Sequence, residues 1–325
     1  MIDSLDRTIL YELDLNSSQS VADLSKKLGL SRDKVLYRMK RLQGEGILKG
    51  FTAAIDTQKL GLFVYKTYLR LEKNEKRQDE LLSYLLAHPL MSYVAETDGR
   101  WDLNFAIYAK NPSDFHKVQS EVLLEFSDII KNFSVYTIVE AYRFSKSYLV
   151  GVGTGFIYFG GELVQCDELD YQILHKLSQD SRITKVELAD NLGVSSMAIK
   201  YRVDRLEKEG VIVGYPVSLD LEKLGLLHFK LQLHFGTYDK HSEQQLLEFC
   251  KTNPNFIWFI RQIGDCMIEL EVEVEDFKHL NDLVSSLRRH FSKFLREVDT
   301  IFIRKEQYKW VPLISSQKVK AASNQ

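Results

Sequence analysis

Apolar positions follow two rhythms along this chain, and each rhythm occurs twice. In the opening sixty residues they recur at steps of three and four: Ile9, Leu10 and Leu13 form one stripe, and Val35, Met39 and Leu42 another. That period predicts helices that bury one face. Between them, "SVADLSKKLG" predicts a short helix closed by Gly29, a residue that adopts positive φ at little cost, and Ser31 stands where an N-cap belongs. The pattern is helix, tight turn, helix. "EGILKGFTAAID" follows with two glycines and then alternates, which predicts a β-ribbon or wing.

From there the period shortens to two. "YKTYLRL" reads as a strand, "RQDELLSYLLAHP" as a helix ending before proline, and "SYVAET" with "LNFAIYA" as a strand pair around "DGRWD". A helix, "PSDFHKVQSEVLLEF", and a last strand, "FSVYTIV", complete the order βαββαβ. Such a ferredoxin-like module is an antiparallel sheet with both helices on one face. Its other face is left in need of a partner.

Sliding the chain against itself by 164 positions aligns Leu5-Asp6 with Leu169-Asp170, Gly29 with Gly193 and the "LGL" at 60–62 with that at 224–226. Over those 58 positions 22 residues are identical, and with one residue gained Gly99 meets Gly264. A period this long indicates two duplicated domain pairs rather than a solenoid. The expected organisation is α+β in a tandem repeat: winged helix-turn-helix domains at 1–53 and 166–217, βαββαβ modules at 54–146 and 218–314, a glycine- and aromatic-containing linker at 147–165, and a polar, disordered tail at 315–325.

Composition narrows the class. With 325 residues, 45% hydrophobic and 27% charged, several globular cores are expected. The net charge of −2 leaves any nucleic-acid surface to a local patch. Three widely spaced cysteines fit neither a disulfide framework nor a structural zinc site, so a reducing cytoplasm is expected, with no metal and no cofactor. "SYLVGVGTGFIYFGG" is too short and too glycine-rich to span a membrane.

"LDRTIL", "ADLSKKLGLSRDKVLYRMKRLQGEGILKGF", the "D…KLGL" linker and the glycine-centred "TDGRWDL" resemble the Lrp/AsnC family of transcription regulators, across nearly the whole chain and twice. The resemblance implies double-stranded DNA as a partner. It also implies pairing of the sheet modules and an amino acid or similar effector bound near that interface. Two modules in one chain would pair as an intramolecular pseudo-dimer, with further homodimers or higher oligomers left open.

With Val35, Met39 and Leu42 inward, the helical period turns Arg32, Asp33, Leu36, Tyr37 and Lys40 outward, with Arg38 and Arg41 flanking. Arg32 is the candidate base reader, because its guanidinium fork pairs bidentately with guanine. Lys34, Lys40, Arg41 and Lys49 are phosphate candidates, and Ser31 caps the helix. Tyr37 and Tyr201 suit either packing or phosphate contact, and Arg38 and Arg202 either an internal salt bridge or DNA. From Ser31 to Gly50 six cations oppose two anions; from Ser195 to Gly214 four oppose three. The first copy should therefore hold DNA more strongly. The second, through Ser195, Ser196, Lys200, Tyr201, Arg202 and Arg205, either reads a different half-site or serves structurally.

For the effector, the resemblance points to the loop of Gly99, Arg100, Trp101 and Asp102, with Asp102 for an amino group, Arg100 for a carboxylate and Trp101 for apolar contact. Gly264 is the second copy's counterpart, but Asp265 and Met267 replace the charged pair. Hairpin geometry alone also accounts for both glycines. No phosphate-binding glycine loop, nucleophile elbow or HExxH motif occurs, so the chain is expected not to be an enzyme. Siroheme decarboxylases, which share this pair of domains, and an adaptor that has lost DNA binding are the alternatives.

Overall fold

A computed structural model describes residues 2–151, 155–237 and 239–308. The tail expected to be disordered lies outside these residues. In the first copy helices α1 (Ser4–Leu15), α2 (Val21–Leu28) and α3 (Arg32–Gly44) precede strands β1 (Leu48–Phe51) and β2 (Ala54–Ile55). The sheet module follows as β3 (Phe63–Leu71), α4 (Glu75–Ala87), β4 (Met91–Asp98), β5 (Leu103–Ala109), α5 (Pro112–Glu125) and β6 (Ile130–Phe144). After a connecting strand β7 (Phe156–Phe159), the second copy repeats the order: α6 (Glu168–Gln179), α7 (Lys185–Leu192), α8 (Ser196–Lys208), β8 (Ile212–Gly214), β9 (Val217–Leu219), β10 (Leu227–Phe235), α9 (Lys240–Thr252), β11 (Phe256–Ile263), β12 (Ile268–Val274), α10 (Phe277–His290) and β13 (Leu295–Tyr308). Each predicted helix and strand of the modules is present. Among the described residues no helix is long and apolar enough to cross a membrane.

The helical units are set by their caps. Asp3 and Asp167 close capping boxes on α1 and α6, while Ser31 and Ser195 accept the Lys34 and Ala198 amides at the starts of α3 and α8. Gly29 at φ 65° and Gly193 at φ 66° make the turns between the second and third helices.

The ribbons depart from the sequence expectation. Neither forms within its own copy: β1 pairs antiparallel with β9, and β2 with β8. The two copies thus exchange strands, and the boundaries expected at 53/54 and 217/218 run through the exchange. Val217 and Leu219 join the core of the first helical unit, and Ala53 and Ile55 that of the second. Lysines complete the exchange. Lys59 donates to the Glu209 carbonyl at the C-terminus of α8 (2.8 Å), and Lys223 to the Glu45 carbonyl at that of α3 (2.7 Å). Each third helix is therefore capped by a cation from the other copy, where the helix dipole favours one.

The two sheets also join. β6 pairs with β3 along Ile130–Thr137 and with β11 along Thr137–Arg143; β13 pairs with β10 and then with β4. Because these two strands pass from one sheet to the other, eight of the nine strands close into a ring, with β7 added outside on β6. The helix-covered faces are apolar, around Leu69 and Phe105 in one module and Leu231 and Phe259 in the other. The facing surfaces are not. Lys66, His228, Lys230, Glu269, Glu271 and Glu273 are all buried between the sheets.

Candidate nucleic-acid interface and the glycine loops

The buried stripe Val35, Met39, Leu42 and its counterpart Ile199, Val203, Leu206 seat α3 and α8 against their helical units. That fixes what each helix shows to solvent. On α3 these are Arg32, Asp33, Lys34, Leu36, Tyr37 and Lys40, with Lys49 exposed on β1. Tyr37 is 68% exposed and Tyr201 71%, so neither ring packs into its unit. On α8 Ser196, Met197, Lys200 and Tyr201 are exposed, Met197 at 80%.

The flanking arginines have another task. Arg38 Nη1 donates to Asp3 (2.7 Å) and to Asp6 (2.8 Å), and Arg41 also binds Asp6, whose carboxylate is buried. The second copy repeats this: Arg202 meets Asp167 (2.7 Å) and Asp170 (2.8 Å), and Arg205 meets Asp170 (2.5 Å). The hydrogen bond from Arg38 holds the Asp3 carboxyl down at about 2, and the same bond raises the Arg38 guanidinium above its ordinary value. These four arginines tie the third helix to the first. Of the cations expected on the first copy's surface, Arg32, Lys34, Lys40 and Lys49 remain exposed without a described ion pair, whereas Lys200 lies 3.7 Å from Asp204. The imbalance between copies therefore survives the loss of Arg38 and Arg41. Leu36 and Met197 add exposed apolar surface to these faces; Met197, unlike Leu36, was not singled out from the sequence, because its place outside the buried stripe reads equally as ordinary exposure.

The glycine loops lie where the modules press together. A Cβ on Gly99 would stand 2.9 Å from the Thr300 carbonyl oxygen, and one on Gly264 2.3 Å from the Tyr136 ring. Trp101 is buried with Tyr68, Tyr136, Cys266 and Ile301, residues of both modules. Arg100 donates to Asp299 (2.7 Å) and lies 3.6 Å from Asp265. Asp102 accepts from the Leu71 amide (2.7 Å) and from Arg70 (3.1 Å). The charged groups expected to receive an effector are thus spent on protein partners, and none of the five residues lines either cavity described below.

Comparison with known proteins agrees with the helical units. Residues 2–43 match the AsnC-type helix-turn-helix domain, and residues 167–213 a winged helix-turn-helix DNA-binding domain. An uncharacterised HTH-type transcriptional regulator of Pyrococcus horikoshii is 33% identical over 131 residues, 40% of this chain and 87% of that protein. The chain belongs to the Lrp/AsnC family. The HTH-type transcriptional regulator LrpA of Pyrococcus horikoshii is likewise 33% identical over 124 residues, 37% of this chain and 84% of LrpA. Each match spans about the length of one copy, so the Lrp/AsnC chain described here carries the family's domain pair twice. The crystal structure of the siroheme decarboxylase NirDL superposes with a TM-score of 0.67 at 12% identity, covering 99% of this chain and 98% of that one. It shows that the whole two-copy architecture is a known fold.

Proposed function

We propose that this Lrp/AsnC protein is a transcription regulator whose two recognition helices, α3 and α8, have their spacing and orientation set by the exchanged ribbons and the closed sheet, and read two half-sites of duplex DNA. The observation that carries this is the division of labour on α3. Arg38 and Arg41 face inward to Asp6, while Arg32, Lys34, Tyr37 and Lys40 stand exposed together. Exposed cations at the start of a recognition helix suit the major groove and its flanking phosphates. The first copy supplies most of the phosphate contacts, and the second, with Ser196, Met197 and Tyr201 in place of Arg32, Asp33 and Tyr37's neighbourhood of charge, contributes a different and weaker reading surface.

Binding to random-sequence duplex across a salt series tests it, for the wild type and for Arg32, Lys34 and Lys40 changed together to alanine. The wild type should bind with a steep salt slope, and the variant should lose affinity and slope together. No binding at low salt by either protein would sink the proposal.

The decarboxylase reading shares the fold but meets an obstacle in its cations. Lys66, Arg70, Arg100 and Arg261, cations carried by strands and loops of the sheet modules, each pair with a protein carboxylate: Glu269, Asp102, Asp299 and Glu140 respectively. A tetrapyrrole's carboxylates would have to displace these. An absorption spectrum after mixing with siroheme separates the two readings.

A further inference from the structure

The duplication leaves two cavities at equivalent places, each between the sheets and an exchanged ribbon. The first has a volume of about 140 Å³ and the second about 450 Å³. Their linings have diverged. Val64, Tyr108 and Ala141 of the first are replaced in the second by His228, Glu273 and Glu306. The first is also roofed by Phe159 of β7. Most of its lining surface is apolar, and Lys66, Lys230 and Glu271 bring buried charge to it.

Water alone is a poor filling, because each buried water needs two to four polar partners and most of the lining surface is apolar. An empty void is also poor, since its lining forfeits dispersion contacts. An engineered apolar cavity of roughly 150 Å³ takes benzene, which sets the scale of a fitting molecule.

These buried groups decide the charge. Lys66 donates to Glu269 (2.8 Å), Lys230 binds Glu271, and His228 lies 3.3 Å from Glu271 and 3.5 Å from Glu306. Burial would hold His228 neutral, but the Glu306 and Glu271 carboxylates outweigh it and push the imidazole up to about 10. By position, Lys66, Lys230 and His228 are matched against Glu269, Glu271 and Glu306, each within ion-pair distance of a partner in the cluster. Within that cluster a charged guest would find no uncompensated partner, and the Asp56 carboxylate elsewhere in the lining is already held by the Gly160 and Gln58 amides, so a charged guest would bear most of its own desolvation. A hydrogen-bond acceptor fares differently. Among the described residues Lys66 gives one hydrogen bond, and an ammonium carries three N–H groups.

We propose that the first cavity binds a compact, uncharged molecule, a single ring or a branched aliphatic group, whose one hydrogen-bond acceptor takes an N–H of Lys66. The ligand would also touch the segment that joins the first helical unit to its module. Ile55, Asp56, Thr57 and Gln58 line the cavity, and Asp56 holds the Gly160 amide (2.7 Å) and the Gln58 amide (3.1 Å). On the regulator reading proposed above, occupancy therefore biases the orientation of the helical units, and so the affinity for DNA.

The test uses the full chain, with benzyl alcohol and cyclohexanone as probes and benzoate and benzylammonium as charged counterparts, in calorimetric titration and thermal melts. The neutral probes should bind one site and raise the Tm, with the charged ones at least tenfold weaker. Ala141→Leu, which fills the cavity, should abolish binding while the free protein melts no lower; Ala106→Val is the smaller filling, in case leucine is not accommodated. Charged probes that bind equally well, filled variants that bind like the wild type, or no neutral probe binding at millimolar concentration would each overturn the proposal. The DNA measurement is separate: a probe that binds the cavity of a protein with no DNA affinity supports the site and counts against the regulator reading alone.

Discussion

Ser17 and Ser181, 164 residues apart in the sequence, meet Oγ to Oγ at 2.7 Å in a buried contact between the two copies. They are the same position of the repeat, so this contact marks the pseudo-twofold axis. Around it the backbone repeats itself: Ser17 N–H donates to the Tyr215 carbonyl (2.6 Å), and Ser181 N–H to the Phe51 carbonyl (3.1 Å). Replacing either serine by alanine strands the other hydroxyl away from water and should cost about 1 to 3 kcal/mol. The double variant should cost less than the sum of the two. Urea unfolding of the three variants checks this, and strict additivity would count against a coupled pair.

Arg32 and Arg38 sit about one and two-thirds turns apart on α3 and should answer opposite assays. Arg38→Ala removes the partner of Asp3 and a partner of buried Asp6, and should lower stability by about 2 kcal/mol while leaving the salt slope of DNA binding unchanged. Arg32→Ala should leave the Tm alone and reduce that slope by about 1. If Arg38→Ala lowers the slope as well, its internal ion pair opens on DNA.

The buried imidazole of His228 makes stability depend on alkaline pH. Its unfolded value is near 6.5 and its folded value about 10, so the folded state binds the proton more tightly. The stabilisation is complete below about pH 6.5 and is lost as the pH rises through about 10. Thermal melts between those limits should show a falling Tm in the wild type and a flatter profile in His228→Gln. An equal slope in both would place the titration elsewhere.

Gly99 and Gly264 predict a packing defect rather than a ligand defect. Gly99→Ala meets a carbonyl oxygen at 2.9 Å with the backbone at φ 124°, and Gly264→Ala meets a buried ring. Each should destabilise by about 1 to 3 kcal/mol. Calorimetric melting should show the loss in both; a glycine replaced without cost would mean that the modules pack less closely there.

Much of this was legible in the sequence. The repeat, the helix-turn-helix and the order βαββαβ follow from period and punctuation, because helices and strands bury faces set by their own residues. The unpaired second face of each sheet was legible too. What covers it was not. "IELEVEV" on β12 alternates as a strand with one solvated face would, yet Glu269, Glu271 and Glu273 are buried, because Lys66, Lys230 and Lys146 from elsewhere in the chain meet them. The ribbons misled for a related reason: local alternation predicts a strand but does not name its partner. On α3 the outward period placed Arg32, Asp33, Leu36, Tyr37 and Lys40 at the surface, where the structure exposes them. It set Arg38 and Arg41 at the flanks but could not show that they are spent on ion pairs, because Asp3 and Asp6, which they hydrogen-bond, lie more than thirty residues away.

The exchanged ribbons also bear on how the protein behaves on dilution. Two separate chains that traded such strands would part at low concentration, and mixed populations would trade subunits. Here each copy meets its counterpart at an effective concentration set by the chain between them, so dilution does not separate the halves. A partner that can never be replaced need never be identical. That freedom is visible in Val64 and His228, one position of the repeat facing an apolar cavity in one half and a charged one in the other.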